Sequence, residues 1–135
     1  MFQYAQNNEI KGNFEEARKY YKKTGDLPTS NKKLSDPKNI IGMINYARCC
    51  EKGIGGPVDL EQYALYIKKA ADSNNSEAQF RYGLMLESGK IVEKNLKEAA
   101  KYFEAASLLY NFKGMMKFTY YLSNGIGVDK NIYKA

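Results

Sequence analysis

The residues best equipped for chemistry in this chain are two glycine-rich runs, a pair of adjacent cysteines and a few neighbouring carboxylates. Gly53-Ile54-Gly55-Gly56 and Gly125-Ile126-Gly127 look like loops that cradle phosphate with backbone N–H groups. Neither is followed by the Lys-Ser/Thr that completes a phosphate loop and neither follows a strand, so both are read as turns. Glu15-Glu16 and Glu87 with Glu93 lack a spacing that would let two carboxyls share a proton or hold a metal, which makes them solvated surface or capping residues. Cys49 and Cys50 have Arg48 beside them, a cation able to lower a thiolate pKa, but the expectation is of buried, inert packing cysteines. The chain has no histidine. That removes the commonest base near neutral pH, the usual zinc ligands and every Ser-His or Cys-His pair. No catalytic, metal-binding or cofactor-binding residue is expected, no small-molecule substrate is implied, and the chain is read as not an enzyme.

Composition bounds the rest. The chain has 135 residues, 44% of them apolar and 27% charged, enough to fold by burial as one domain. No run of ~18 apolar residues and no basic stretch followed by an apolar core is present, so neither membrane insertion nor a signal peptide is expected. A bond between the adjacent cysteines could not staple one helix to another, and reduced thiols point to a cytoplasmic protein. The formal charge is +6. Residues 1–38 hold eight basic and five acidic residues, 39–75 four and four, 76–111 five and five, and 112–135 four and one, so the excess lies in the two ends. Interleaved Lys and Glu in the middle reads as solvated helix surface rather than a nucleic-acid groove.

The elements that hold these residues follow from a repeat. Sliding the chain by 36 residues puts Tyr46, Glu51, Gly53, Leu60, Ala64, Tyr66, Ala70 and Asn75 on Tyr82, Glu87, Gly89, Leu96, Ala100, Tyr102, Ala106 and Asn111 without a gap. A second step carries Leu86, Gly89, Val92, Lys94, Asn95 and Ala99 onto Leu122, Gly125, Val128, Lys130, Asn131 and Ala135. Within a unit, Glu77 to Ser88 is apolar around most of its circumference and reads as an inner helix ended by Gly89, with Gly53 and Gly125 as its counterparts. Asn95 with Glu98 forms a capping box that opens an outer, amphipathic helix, and Asp59 with Gln62 and Asn13 with Glu16 repeat it. Small residues, Ala47 and Gly83 inside and Ala64, Ala70, Ala100 and Ala106 outside, let helix axes approach. One such pair cannot bury its own apolar face, so units must stack.

The run Ala78-Gln79-Phe80-Arg81-Tyr82-Gly83-Leu84-Met85-Leu86-Glu87-Ser88-Gly89, followed by Val92, Asn95, Ala99, Tyr102-Phe103 and Ala106, resembles the Sel-one-like repeat, a relative of the tetratricopeptide repeat. Ala47 to Asn75 and Tyr120 to Val128 are similar, so the resemblance covers roughly residues 39–135. Tyr63, Ala47, Thr119 and Leu109-Tyr110-Asn111 depart from the pattern. The N-terminal part, Lys11 to Lys23, resembles a plain tetratricopeptide outer helix. The expected fold is all-α, a right-handed alpha-alpha superhelix (solenoid) of 36-residue helix-turn-helix repeats. Its layout is a partial unit at 1–26, an insertion loop at 27–38 with Asp36-Pro37 opening the next helix, and repeats at 39–75, 76–111 and 112–135, the last incomplete. Met1 falls inside an inner helix and Ala135 at the start of an outer one, and the chain is expected to be a piece of a longer repeat protein.

The inner-helix arc opposite the outer helices is the face that in such solenoids lines the concavity. Ile44, Phe80 and Met116 form an apolar row at equivalent positions, and Arg48, Leu84 and Tyr120 a mixed row beside it. Apolar, aromatic and Arg side chains in a concavity are the anchors peptides use. The resemblance implies a non-enzymatic scaffold or adaptor that engages a partner protein or peptide through that face. The second reading is binding of nucleic acid or an anionic surface through the basic ends, which would weaken steeply with salt.

Overall fold

The computed structural model describes residues 12–27 and 37–128. Among them are six helices and no strand: α1 (Phe14–Gly25), α2 (Pro37–Lys52), α3 (Leu60–Asp72), α4 (Ser76–Ser88), α5 (Leu96–Leu108) and α6 (Phe112–Asn124). They fall into two compact units, residues 1–73 with α1 to α3 and residues 74–135 with α4 to α6. The placement of Met1, most of the 27–38 insertion, and Asn131 to Ala135 lie outside the described residues; Pro37 does open α2, a position where its missing N–H costs nothing.

Side chains at the helix starts take up the free N–H groups of each first turn. Asn13 accepts from the N–H of Glu16, Asp59 from that of Gln62 and Asn95 from that of Glu98, the cap half of each expected box, while the N–H groups of Asp59 and Asn95 donate to the carbonyls of Cys50 and Leu86 in place of the expected Gln62 and Glu98 side chains. Asn75 and Asn111 do the same for α4 and α6, accepting from Ala78 and Gly114, both at 2.9 Å. The two asparagines are the equivalent positions that the 36-residue period pairs, and no acidic residue three positions on marks either as a cap. Gly89 and Gly125 end α4 and α6 at φ 68° and 64°, where a side chain would clash with its own backbone.

In the first unit α2 packs against both α1 and α3. Ala17, Tyr21, Ala47, Cys49, Cys50, Ile67 and Ala70 are buried there. Gly42 on α2 lies so close to the end of α1 that a Cβ on it would stand 2.6 Å from the backbone nitrogen of Gly25, so only glycine allows this approach. In the second unit α5 packs between α4 and α6. Phe103 is its buried centre: a Cβ on Gly83 would stand 2.6 Å from the Phe103 ring, and Tyr121 meets that ring edge-on at 5.3 Å. The two units share detail as well as plan. Tyr46 and Tyr66 meet edge to face at 4.6 Å and 76°, and one period later Tyr82 and Tyr102 meet at 4.9 Å and 74°.

Candidate interaction surface

The glycine-rich turns are filled from within. A Cβ on Gly55 would fall on the carbonyl of Phe14 at the start of α1, and a Cβ on Gly127 on the carbonyl of Leu96 at the start of α5. Each turn leans on the first residue of a preceding outer helix, and its glycines are there for backbone contact. Arg18 on α1 completes the packing of the first turn by donating to the carbonyl oxygens of Pro57 at 2.9 Å and Ile54 at 3.4 Å.

Arg18 also reaches the cysteine pair, donating to Cys50 Sγ at 3.6 Å, a contact between residues 32 apart that sequence adjacency, which pointed to Arg48, does not reveal. Both cysteines are buried and unbridged. Burial pushes the Cys50 thiol up, and the opposing pull of Tyr46 and Arg18 does not reverse it. The Tyr46 hydroxyl, buried and beside Cys50, is itself pushed up to about 12. This is a protonated, packed cluster rather than a nucleophile.

Phe80, Met116 and Tyr120, three of the residues assigned to the apolar and mixed rows, come together in the second unit. With Lys113 and Lys117 they line an open cleft of about 510 Å³ between α4 and α6. Met116 is 60% and Tyr120 57% exposed, so the apolar wall faces solvent. Phe80 is half-buried, tilted against Phe103 at 5.9 Å. Leu84 lies one turn further along α4, half-buried, outside the cleft lining. Ile44 and Arg48 belong to the first unit, one turn apart and half-buried on α2, where Arg48 donates to Asn45 Oδ1 at 3.3 Å.

Two charged residues of the cleft region were not read correctly or at all from sequence. Glu87, expected to be solvated, is a structural anchor: it accepts from Lys117 Nζ at 2.8 and 3.0 Å and from the Tyr121 hydroxyl at 2.6 Å. Burial alone would raise its pKa, but the Lys117 ammonium and the Tyr121 hydroxyl together hold the carboxyl below its usual range. Lys117 itself escaped notice; the available signal was its position four residues after Lys113, on a helix with no acidic residue. An equivalent node ties the first unit. Asp26 accepts from the Tyr66 hydroxyl at 2.6 Å and Lys22 at 3.0 Å, and these partners overcome burial to hold its carboxyl low.

The chain thus repeats every 36 residues a pair of helices with caps and tyrosine contacts at matching positions and a turn closed by glycine. The Sel1 repeat model matches residues 1–27, 40–75, 76–111 and 114–135. The chain belongs to the Sel1 repeat family. Solved Sel1-type structures share its fold, an all-α helical-repeat solenoid. A Sel1 repeat protein from Oxalobacter formigenes matches over 97% of this chain and 50% of its own at 25% identity and TM-score 0.74. The protective antigen c5321 of uropathogenic Escherichia coli, which has an SLR fold, matches over 97% and 30% of the two chains at 20% identity and TM-score 0.64. The cysteine rich protein B of Helicobacter pylori matches over 91% and 81% at 22% identity and TM-score 0.59. The chain thus spans half the length of the first of these and less than a third of the second. Among curated proteins none matches the sequence. Sel1 repeat proteins are generally non-catalytic protein-interaction scaffolds. Among the described residues no helix of this Sel1 chain is long and apolar enough to cross a membrane.

Proposed function

We propose that this chain is a non-enzymatic scaffold or adaptor in the cytoplasm whose inner-helix face docks a segment of a partner protein, within one continuous solenoid of repeats. The observation that carries the reading is the cleft beside α4 and α6: Phe80, Met116 and Tyr120 expose aromatic and thioether surface in a concavity of about 510 Å³, the kind of wall that desolvates an anchor side chain. Met116 adds an adaptable thioether that can repack around different anchors. Ile44, Arg48 and Leu84 are assigned to the same partner-binding set by their repeat positions.

Affinity capture from a lysate of the source cell, at low and high salt, tests this. The wild-type chain is compared with a Phe80→Ala/Met116→Ala variant checked for helix by circular dichroism. A protein that resists salt and is lost with the variant is the expected result. Capture of nucleic acid alone, released by salt and indifferent to the substitutions, would transfer the function to the basic ends of the chain.

A further inference from the structure

We infer that the Phe80–Met116–Tyr120 cleft takes an acidic segment, one that presents a large apolar side chain with carboxylates at neighbouring positions. The inference rests on the reading of this cleft as the docking face and adds the chemistry of its occupant. Two parallel rows run along α6. Met116 and Tyr120, four residues apart, form the apolar row, and Lys113 and Lys117, also four apart, form a cationic row beside it on the same cleft. The helix between Phe112 and Asn124 carries no acidic residue to offset them.

The two lysines are not equivalent. Lys117 is held by both oxygens of Glu87, so its charge is matched within the fold. Lys113 lies 3.8 Å from Glu77, but that single carboxylate also faces Arg81 at 3.4 Å. Glu77 is thus shared, and it stands farther from Lys113 than either Glu87 oxygen stands from Lys117. The Lys113 side chain is 63% exposed, and its ammonium stands 5.6 Å over the Phe80 ring that forms the cleft wall. An apolar anchor seated on Phe80 and Met116 would therefore bring the residues beside it against the exposed Lys113 ammonium, where partial desolvation strengthens a carboxylate contact. A basic segment would meet like charge at the same point.

The test uses the full chain and fluorescein-labelled heptapeptides read by anisotropy. The probes have a central phenylalanine flanked on each side by glutamates, by glutamines or by lysines, and a fourth has alanine at the centre of the glutamate peptide. The glutamate–phenylalanine probe is expected to bind at least about fivefold more tightly than the glutamine probe at 50 mM salt, with the gap closing by 0.5 M. Lys113→Glu should abolish that preference and Lys113→Gln should reduce it, both at a solvent-exposed position that leaves the fold intact. Equal affinity for the glutamate and glutamine probes, still lost in Phe80→Ala, overturns the acidic inference and leaves the docking face standing. Binding indifferent to Phe80→Ala overturns both. No binding of any probe to the folded wild-type chain overturns the inference.

Discussion

Tyr110 adopts φ 62° in the turn between α5 and α6, and Asn74 adopts φ 68° one period earlier. Asparagine tolerates this left-handed backbone, whereas a tyrosine Cβ is crowded by the carbonyl that follows. Tyr110 is 87% exposed, so burial returns little for that strain. Tyr110→Gly is expected to raise stability by about 1 kcal/mol in urea titration, and an unchanged or lowered midpoint would contradict the strain. At Glu87 the carboxyl is held below its ordinary 4.5 in the folded chain, so its ion pair favours folding above that pH and the contribution drains away as pH falls through the lowered value. Wild type should lose more thermal stability than Glu87→Gln between pH 6 and pH 3, and parallel losses would show that the anchor contributes nothing. At pH 7 Glu87→Ala should cost roughly 1–3 kcal/mol by stranding Lys117 and the buried Tyr121 hydroxyl. This anchor was hidden in the sequence because its three groups stand on two helices, 30 and 34 residues apart, and only helix packing decides which charges meet.

Helix identity and helix ends were legible because both are local. A 36-residue period, apolar circumference for inner helices, stripes for outer ones and Asx caps each leave their signal within a few residues. Which small residue meets which neighbour was not legible. Gly42 and Gly114 stand two periods apart, yet one receives Gly25 and Thr24 and the other Ala106 and Ser107, contacts set by how α1 meets α2 and how α5 meets α6. Gly83 was correctly read as a packing residue, and its partner is the Phe103 ring. Gly83→Ala should cost about 1–3 kcal/mol by overpacking, and Phe103→Ala about 3–5 kcal/mol by opening a cavity in the middle of the second unit. Chemical denaturation of the two variants checks both, and a neutral Gly83→Ala would mean that the ring yields freely. The cleft was legible in half: repeat frame picked out Phe80, Met116 and Tyr120 as a surface, while the second lysine of its rim depends on the rotation of α6 and went unread.

Across the whole chain no side chain is a histidine, and the two carboxyls that anchor the helices are held low. Folding stability should therefore vary little between pH 6 and pH 8; a midpoint shift of several degrees across that range would point to a titrating group beyond those described here. Partner binding, if it follows the acidic-segment rule, should likewise respond to salt far more than to pH in that interval. The packing within each unit has a consequence in time. α1 meets α2, α2 meets α3, α4 meets α5 and α5 meets α6, so among the described residues every extensive interface within a unit joins consecutive helices. Such contacts close short loops, and loop closure is what slows a chain's search. Each unit can reach its native packing in microseconds to milliseconds, well before a ribosome adding about 5–20 residues per second has delivered the helices of the next.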